Sequence, residues 1–168
     1  EDMGLERFGN QLLAELNAKY PKAQVLIWGD PAGMQRDAIY EVTAFDYLRT
    51  LGLRAQPTAS NNFKVRREGA AAPMQRLING KPGLIVDKSC KMIRKSLAGG
   101  YHFKRIAVGA GHERFKDSPN KNEHSHIGDA FGYLMLGGGE HKRMTKNSLA
   151  ANTMIVQTVA TAEFDVFK

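Results

Sequence analysis

The chain has 168 residues, enough for one domain with a substantial core. Its 24 lysines and arginines against 17 acids give a formal charge of +7, which favours polyanionic partners, nucleic acid first and anionic membrane second. A single cysteine, Cys90, excludes an internal disulfide and a CxxC-type zinc site and points to an intracellular protein, while no apolar run approaches a membrane span and no signal peptide opens the sequence.

Leu5, Phe8, Leu12, Leu13, Leu16 and Tyr20 predict an amphipathic helix over 4–20, stopped by Pro21. The apolar run at 24–29 reads as a buried strand with Asp30 at its carboxyl end. Thr43 and Asp46 form a capping box that opens a helix over 43–53, with Gly52 as its stop. A short strand or extended link follows at 54–59. Residues 61–80 read as a basic stretch and then a helix ending at Gly80, and 81–87 as a second buried strand. A basic helix over 88–100 has a glycine stop, and 101–108 alternates enough to be a strand. The polar, glycine-bearing stretch 109–121 reads as a loop, 123–137 as an apolar helix, and 138–168 as a flexible tail after one domain over 1–137. No internal repeat is visible. Alternating helices and strands predict an α/β fold with a mixed sheet.

The apolar helix raises a chemical question. Ile127, Phe131, Leu134 and Met135 recur at helical spacing, yet His124, His126 and Asp129 sit in its first turns. A carboxylate entering a core costs several kcal/mol unless something pairs with it. A basic side chain, a metal ion or a wetter face than the pattern implies would each resolve the conflict. Asp30 lies where α/β proteins place functional groups, just outside a strand's carboxyl end, although Asp-Pro-Ala-Gly is also good turn chemistry. Two aspartates at the ends of separate elements in a basic protein suit hard cations such as Mg²⁺ or Mn²⁺, and two such ions about 4 Å apart clamp a phosphodiester. His126 is a candidate ligand, proton shuttle or phosphate contact, against a plain helix-cap role; His124 is expected to face solvent.

Two basic clusters, Lys64, Arg66 and Arg67, then Lys88, Lys91, Arg94 and Lys95, suit a phosphate backbone, with solvated helix faces as the bland alternative. "GDPAG" lacks the Gly-Lys-Ser/Thr ending of a Walker loop, so nothing reads as an ATPase. Cys90 has no base beside it and reads as packed rather than nucleophilic. Asp37, Glu41 and Asp87 are further acids without support as metal ligands, and Asp87 suits a cap for the helix after it.

In order, "DMGLERFGNQL", "IWGDPAGMQRD", "TAFDYLRTLGL", "NGKPGLIVDKSCKMIRKSLAGGY", "KNEHSHIGDAFGYLMLG" and the terminal "FDVF" resemble the C-terminal nuclease domain of tailed-phage terminase large subunits, the DNA-packaging motors. The resemblance covers nearly the whole chain. It implies a ribonuclease H-like mixed sheet flanked by helices, and a metal-dependent endonuclease that cuts concatemeric viral DNA with Mg²⁺ or Mn²⁺. By that resemblance Asp30 and Asp129 are catalytic metal ligands with His126 assisting, and Lys64, Arg66, Arg67, Lys91, Arg94 and Lys95 contact DNA. The implied partners are double-stranded DNA, portal protein and the small terminase subunit, in the host cytoplasm and away from membrane. The family's first acid lies upstream of the segment resembling "DMGLERF". This chain, opening at Glu1, is therefore expected to be a piece lacking the first strands and one ligand, and a poor nuclease by itself. The rival expectation is a non-catalytic DNA-binding or portal-docking module. A third is an unrelated Mg²⁺-dependent phosphohydrolase using the same two aspartates on a small substrate.

Overall fold

The computed structural model describes residues 3–36, 41–108 and 112–140, in two compact units that divide between Asn61 and Asn62. Asp37, the expected tail from His141 onward and "FDVF" lie outside the described residues. The architecture is mixed α/β, and no described helix is long and apolar enough to cross a membrane.

The first unit is built on α1 (Leu5–Lys19), β1 (Leu26–Gly29), α2 (Ala44–Thr50) and β2 (Arg54–Pro57). Strands β1 and β2 pair in parallel, Leu26 against Arg54 through Gly29 against Pro57, with α2 in the connection between them. Phe45, Leu48, Leu53 and Ala55 form the core, and Leu12, Leu13 and Leu16 of α1 pack onto it with Ile27 and Leu51. The capping box is present: Thr43 Oγ1 accepts from Asp46 N at 3.0 Å and donates to Asp46 Oδ2 at 2.7 Å. Gly52 ends α2 at φ +80°, the left-handed conformation that favours glycine. β1 is less buried than its apolar run implies, since Leu26 is half exposed.

The second unit, over Asn62–His141, holds α3 (Phe63–Met74), a short hairpin β3 (Leu77–Ile78) and β4 (Lys81–Pro82), α4 (Lys91–Lys95), β5 (Phe103–Val108), β6 (His112–Pro119) and α5 (Ser125–Gly137). Asn62 caps α3 by accepting from Lys64 N at 2.9 Å. Helices α3 and α5 lie face to face, and Gly69 and Gly132 are both buried. A methyl at Gly132 would sit 3.2 Å from Arg66 Cβ, so the glycine permits the approach.

Several expected elements differ here. The helix over 61–80 stops at Met74, with Pro73 in its last turn and Gln75 N donating to Ala71 O as its C-cap. Asn79 and Gly80 then take φ of 51° and 77°, the two positive values a two-residue hairpin turn needs. The buried strand over 81–87 shrinks to Lys81–Pro82, and Ile85 is 70% exposed, so its apolar run marks no core. The basic helix 88–100 divides into α4 and a wider π turn at Ser96–Gly100, where Gly99 has φ +108°. The loop over 109–121 contains a strand, β6, antiparallel to β5 with Arg105 against Phe115 and Val108 against His112. Its residues from Arg114 to Ser118 are exposed, so burial imposes no alternation for a pattern to reveal. The described strands form three two-stranded sheets, one parallel and two antiparallel, in place of one mixed sheet.

Candidate functional site

The opening of α5 is locked by polar contacts before any chemistry begins. Ser125, almost wholly buried, donates to Asn122 O at 2.7 Å, and Asn122 Nδ2 donates to Gly100 O at 2.8 Å. Ser96 Oγ donates to His124 O at 3.1 Å. These bonds pin the first turn of α5 to the π turn and set where Asp129 projects.

Asp129 is met by three donors. Arg66 Nη1 donates to Oδ1 at 2.6 Å, Tyr101 Oη donates to the same oxygen at 3.0 Å, and Lys121 Nζ donates to Oδ2. The Arg66 side chain is only 9% exposed and that of Asp129 15%. Arg66 reaches this position from the buried stripe of α3, shared with Gly69 and Pro73, and its guanidinium carbon lies 4.4 Å from the Tyr133 ring centroid. Burial pushes the Asp129 carboxyl up, and the bonds from Lys121 and Arg66 more than offset it, so the group stays ionised below the usual carboxylate range. Tyr101 is raised, first by burial and then by Asp129, so it remains a neutral donor. Lys121 is raised by its bond to Asp129.

A cavity of about 220 Å³ opens beside this cluster, between α3, α5 and the start of β5, lined by Phe63, Leu97, Tyr101, Phe103 and Phe131 around Arg66 and Asp129. The basic residues sort by exposure. Lys64 and Arg67 lie exposed on α3, and Lys91, Arg94 and Lys95 lie exposed on α4. Arg66, expected among the surface contacts, is buried against Asp129, because its place on the α3 stripe turns it into the unit.

His126 is exposed on α5. His124, expected to face solvent, is 17% exposed, with its ring against Gly100 and Nε2 3.4 Å from Glu123. Leu134 is exposed, while Phe131, Tyr133 and Leu136 supply the buried face. Asp30 belongs to the first unit. It is exposed at the end of β1, where its carboxylate accepts from Ala32 N at 2.9 Å and caps the turn Pro31–Met34. Thr58 N and Oγ1 both donate to Gly29 O, fixing the backbone beside it. Asp87 does not cap α4, whose N-cap is Cys90 without a side-chain bond; it closes the turn before the helix, accepting from Ser89 N at 2.8 Å and Ser89 Oγ at 2.6 Å. Cys90 is exposed.

A divalent cation of the Mg²⁺ type takes about six oxygen ligands. The cluster in the second unit offers one carboxylate, already shared among two cations and a phenol, and does not by itself fit such an ion. Among the described residues no three His, Cys, Asp or Glu side chains gather as a metal site. The residues that the sequence did not single out are Tyr101 and Lys121. Arg66, read from the sequence as a surface contact for DNA, has its partner 63 positions away, where no spacing rule reaches. No family model, curated protein or solved structure matches this chain.

Proposed function

We propose that this chain is part of a terminase large subunit whose ribonuclease H-like nuclease cleaves concatemeric phage DNA during packaging. The observation that carries the reading is Asp129: an ionised carboxylate set by a locked helix start into an apolar α5 and flanked by cations. Asp30, directly after a strand of the parallel pair in the first unit, supports it as an acid where α/β proteins place functional groups. In this reading Lys64, Arg67, Lys91, Arg94 and Lys95 hold the phosphate backbone of double-stranded DNA, with little sequence preference because such contacts carry no base code. Metal ions, if held in the whole enzyme, would supply the activated water and charge neutralisation for phosphodiester hydrolysis. Carboxylates additional to Asp129 would have to join it to hold them.

The alternative, a non-catalytic module that binds DNA or docks to the portal, draws support from the same cluster, where Arg66 and Lys121 already neutralise Asp129. One experiment separates the two. Duplex DNA binding is measured across a salt series, and plasmid nicking is followed with Mg²⁺ and with Mn²⁺ for the chain and its Asp129→Asn and Asp30→Asn variants. Cutting that disappears in correctly folded variants supports the nuclease. Salt-dependent binding without cutting is what the module requires and also what a nuclease piece lacking one ligand would give, so it is cutting that decides for the nuclease. Absence of any binding overturns both.

A further inference from the structure

The β5–β6 hairpin presents an arrangement that backbone binding does not require. A second hollow of about 570 Å³ lies between α3 and this hairpin, lined by Phe63, Lys64, Arg67, Phe103, Phe115 and Lys116. It shares Phe63, Arg67, His102 and Phe103 with the cavity beside Asp129, so the two hollows adjoin along these residues. The floor is aromatic: Phe63 and Phe103 meet edge to face, their centroids 5.5 Å apart. Phe115 stands 53% exposed on β6, and the Arg105 guanidinium lies 5.6 Å from its centroid. Lys64, Arg67 and Lys116 supply exposed positive charge, Arg67 while paired with its neighbour Glu68 at 2.7 Å, and Asp117 is the acid lining the hollow.

Positive charge alone suffices for duplex, which is held by its phosphates. An exposed phenylalanine among lysines and arginines adds a flat apolar surface, and the partner that uses both is a strand with unstacked bases. Stacked bases in duplex DNA offer no free face to such a ring. We infer that the groove binds an unpaired DNA strand, with a base stacked on Phe115 and the adjoining phosphates on Lys64, Arg67 and Lys116, and that it leads the strand toward Asp129. The inference rests on the DNA-binding part of the proposed function and adds the form of the substrate at this site. Arg105 backs Phe115 as a cross-strand neighbour at register.

The test compares two labelled single strands of equal length and charge, an oligothymidylate and a fully abasic strand, by fluorescence anisotropy, with a duplex measured alongside. The chain binds the thymidylate about tenfold more tightly than the abasic strand, the scale of one base stacked on an aromatic ring. Phe115→Ala abolishes that difference and leaves duplex affinity unchanged; its far-ultraviolet circular dichroism, matched to the parent, shows that the fold is kept. Lys64→Ala with Lys116→Ala weakens both single strands alike. Equal affinity of the unaltered chain for the two strands, or discrimination that survives in Phe115→Ala, overturns the inference while duplex binding stands. Failure to bind duplex and both strands overturns the DNA-binding reading itself.

Discussion

Arg66 Nη1 lies 2.6 Å from Asp129 Oδ1 and joins α3 to α5 across 63 residues of sequence. The guanidinium is stacked on Tyr133 and shut off from water, so the pair works as a structural tie whatever else Asp129 does. Removing one partner of a buried pair leaves the other charge uncompensated, which costs about 3–5 kcal/mol. Asp129→Ala is therefore expected to destabilise the second unit by about 3 kcal/mol or more in urea denaturation. Lys121→Ala, removing a partner that is 66% exposed, costs about 1 kcal/mol or less. Equal effects of the two substitutions would mean that Arg66 contributes no more than a surface pair.

Acid should reach the same tie. The Asp129 carboxyl is depressed in the folded state relative to the unfolded chain, so its contribution is fully present above the unfolded value of about 4. It is lost as pH falls through the lower folded value, where the folded carboxylate must take up a proton. The stability difference between the chain and its Asp129→Asn variant should thus shrink steadily as pH drops below about 4. Lys121, raised by its bond to Asp129, adds a contribution present below about 10.4 and lost only above the ordinary lysine range. A difference that stays constant from neutral to acid pH would remove Asp129 as the source.

Gly128 fixes the third donor. A methyl there would lie 2.6 Å from Tyr101 Cδ1 and 2.7 Å from Ser96 Oγ, closer than either atom tolerates. Gly128→Ala must displace the Tyr101 ring, breaking its bond to Asp129 and crowding the Ser96 hydroxyl where it meets His124 O. Overpacking of this kind costs about 1–3 kcal/mol. The expected readouts are that loss of stability and a fall in the Tyr101 pKa toward its ordinary value, followed by ultraviolet titration of tyrosine. An unaltered tyrosine titration would show that the ring keeps its place.

The parts legible in the sequence are those fixed by local rules. The capping box at Thr43 and Asp46, the Gly52 stop and the extents of α1 and α5 follow from periodicity and capping within a few residues of each other. Asn79-Gly80 was read as a helix stop, although both residues accept the positive φ of the hairpin turn they form. β5 was read as a strand over 101–108, but its partner β6 was not readable, since its exposed residues show no alternation and the pairing is carried by backbone groups. At Asp129 the sequence posed the right question: an acid on an apolar face requires a partner. It did not reveal that the partners are Arg66, Tyr101 and Lys121, because no spacing rule links three separate segments. Arg66 shows the limit most plainly, as composition marks it basic while only packing separates it from its neighbour Arg67.

That separation gives the basic clusters a sharp test. A protein that neutralises several phosphates loses affinity with salt at a log–log slope of about −0.9 per phosphate. Lys64 and Arg67 are exposed, so Lys64→Ala with Arg67→Ala should flatten the slope by about 0.9 for each phosphate no longer neutralised, with sequence preference unchanged. The exposed Lys91, Arg94 and Lys95 of α4 should behave in the same way. Arg66→Ala should act differently: its charge is spent inside the unit on Asp129, so it lowers stability while the slope, measured where the variant remains folded, stays near that of the parent. Slope and denaturation midpoint, recorded on the same samples, distinguish the two roles. A slope that flattens in Arg66→Ala as much as in Arg67→Ala would return Arg66 to the DNA interface and show that the Asp129 pair opens when DNA binds.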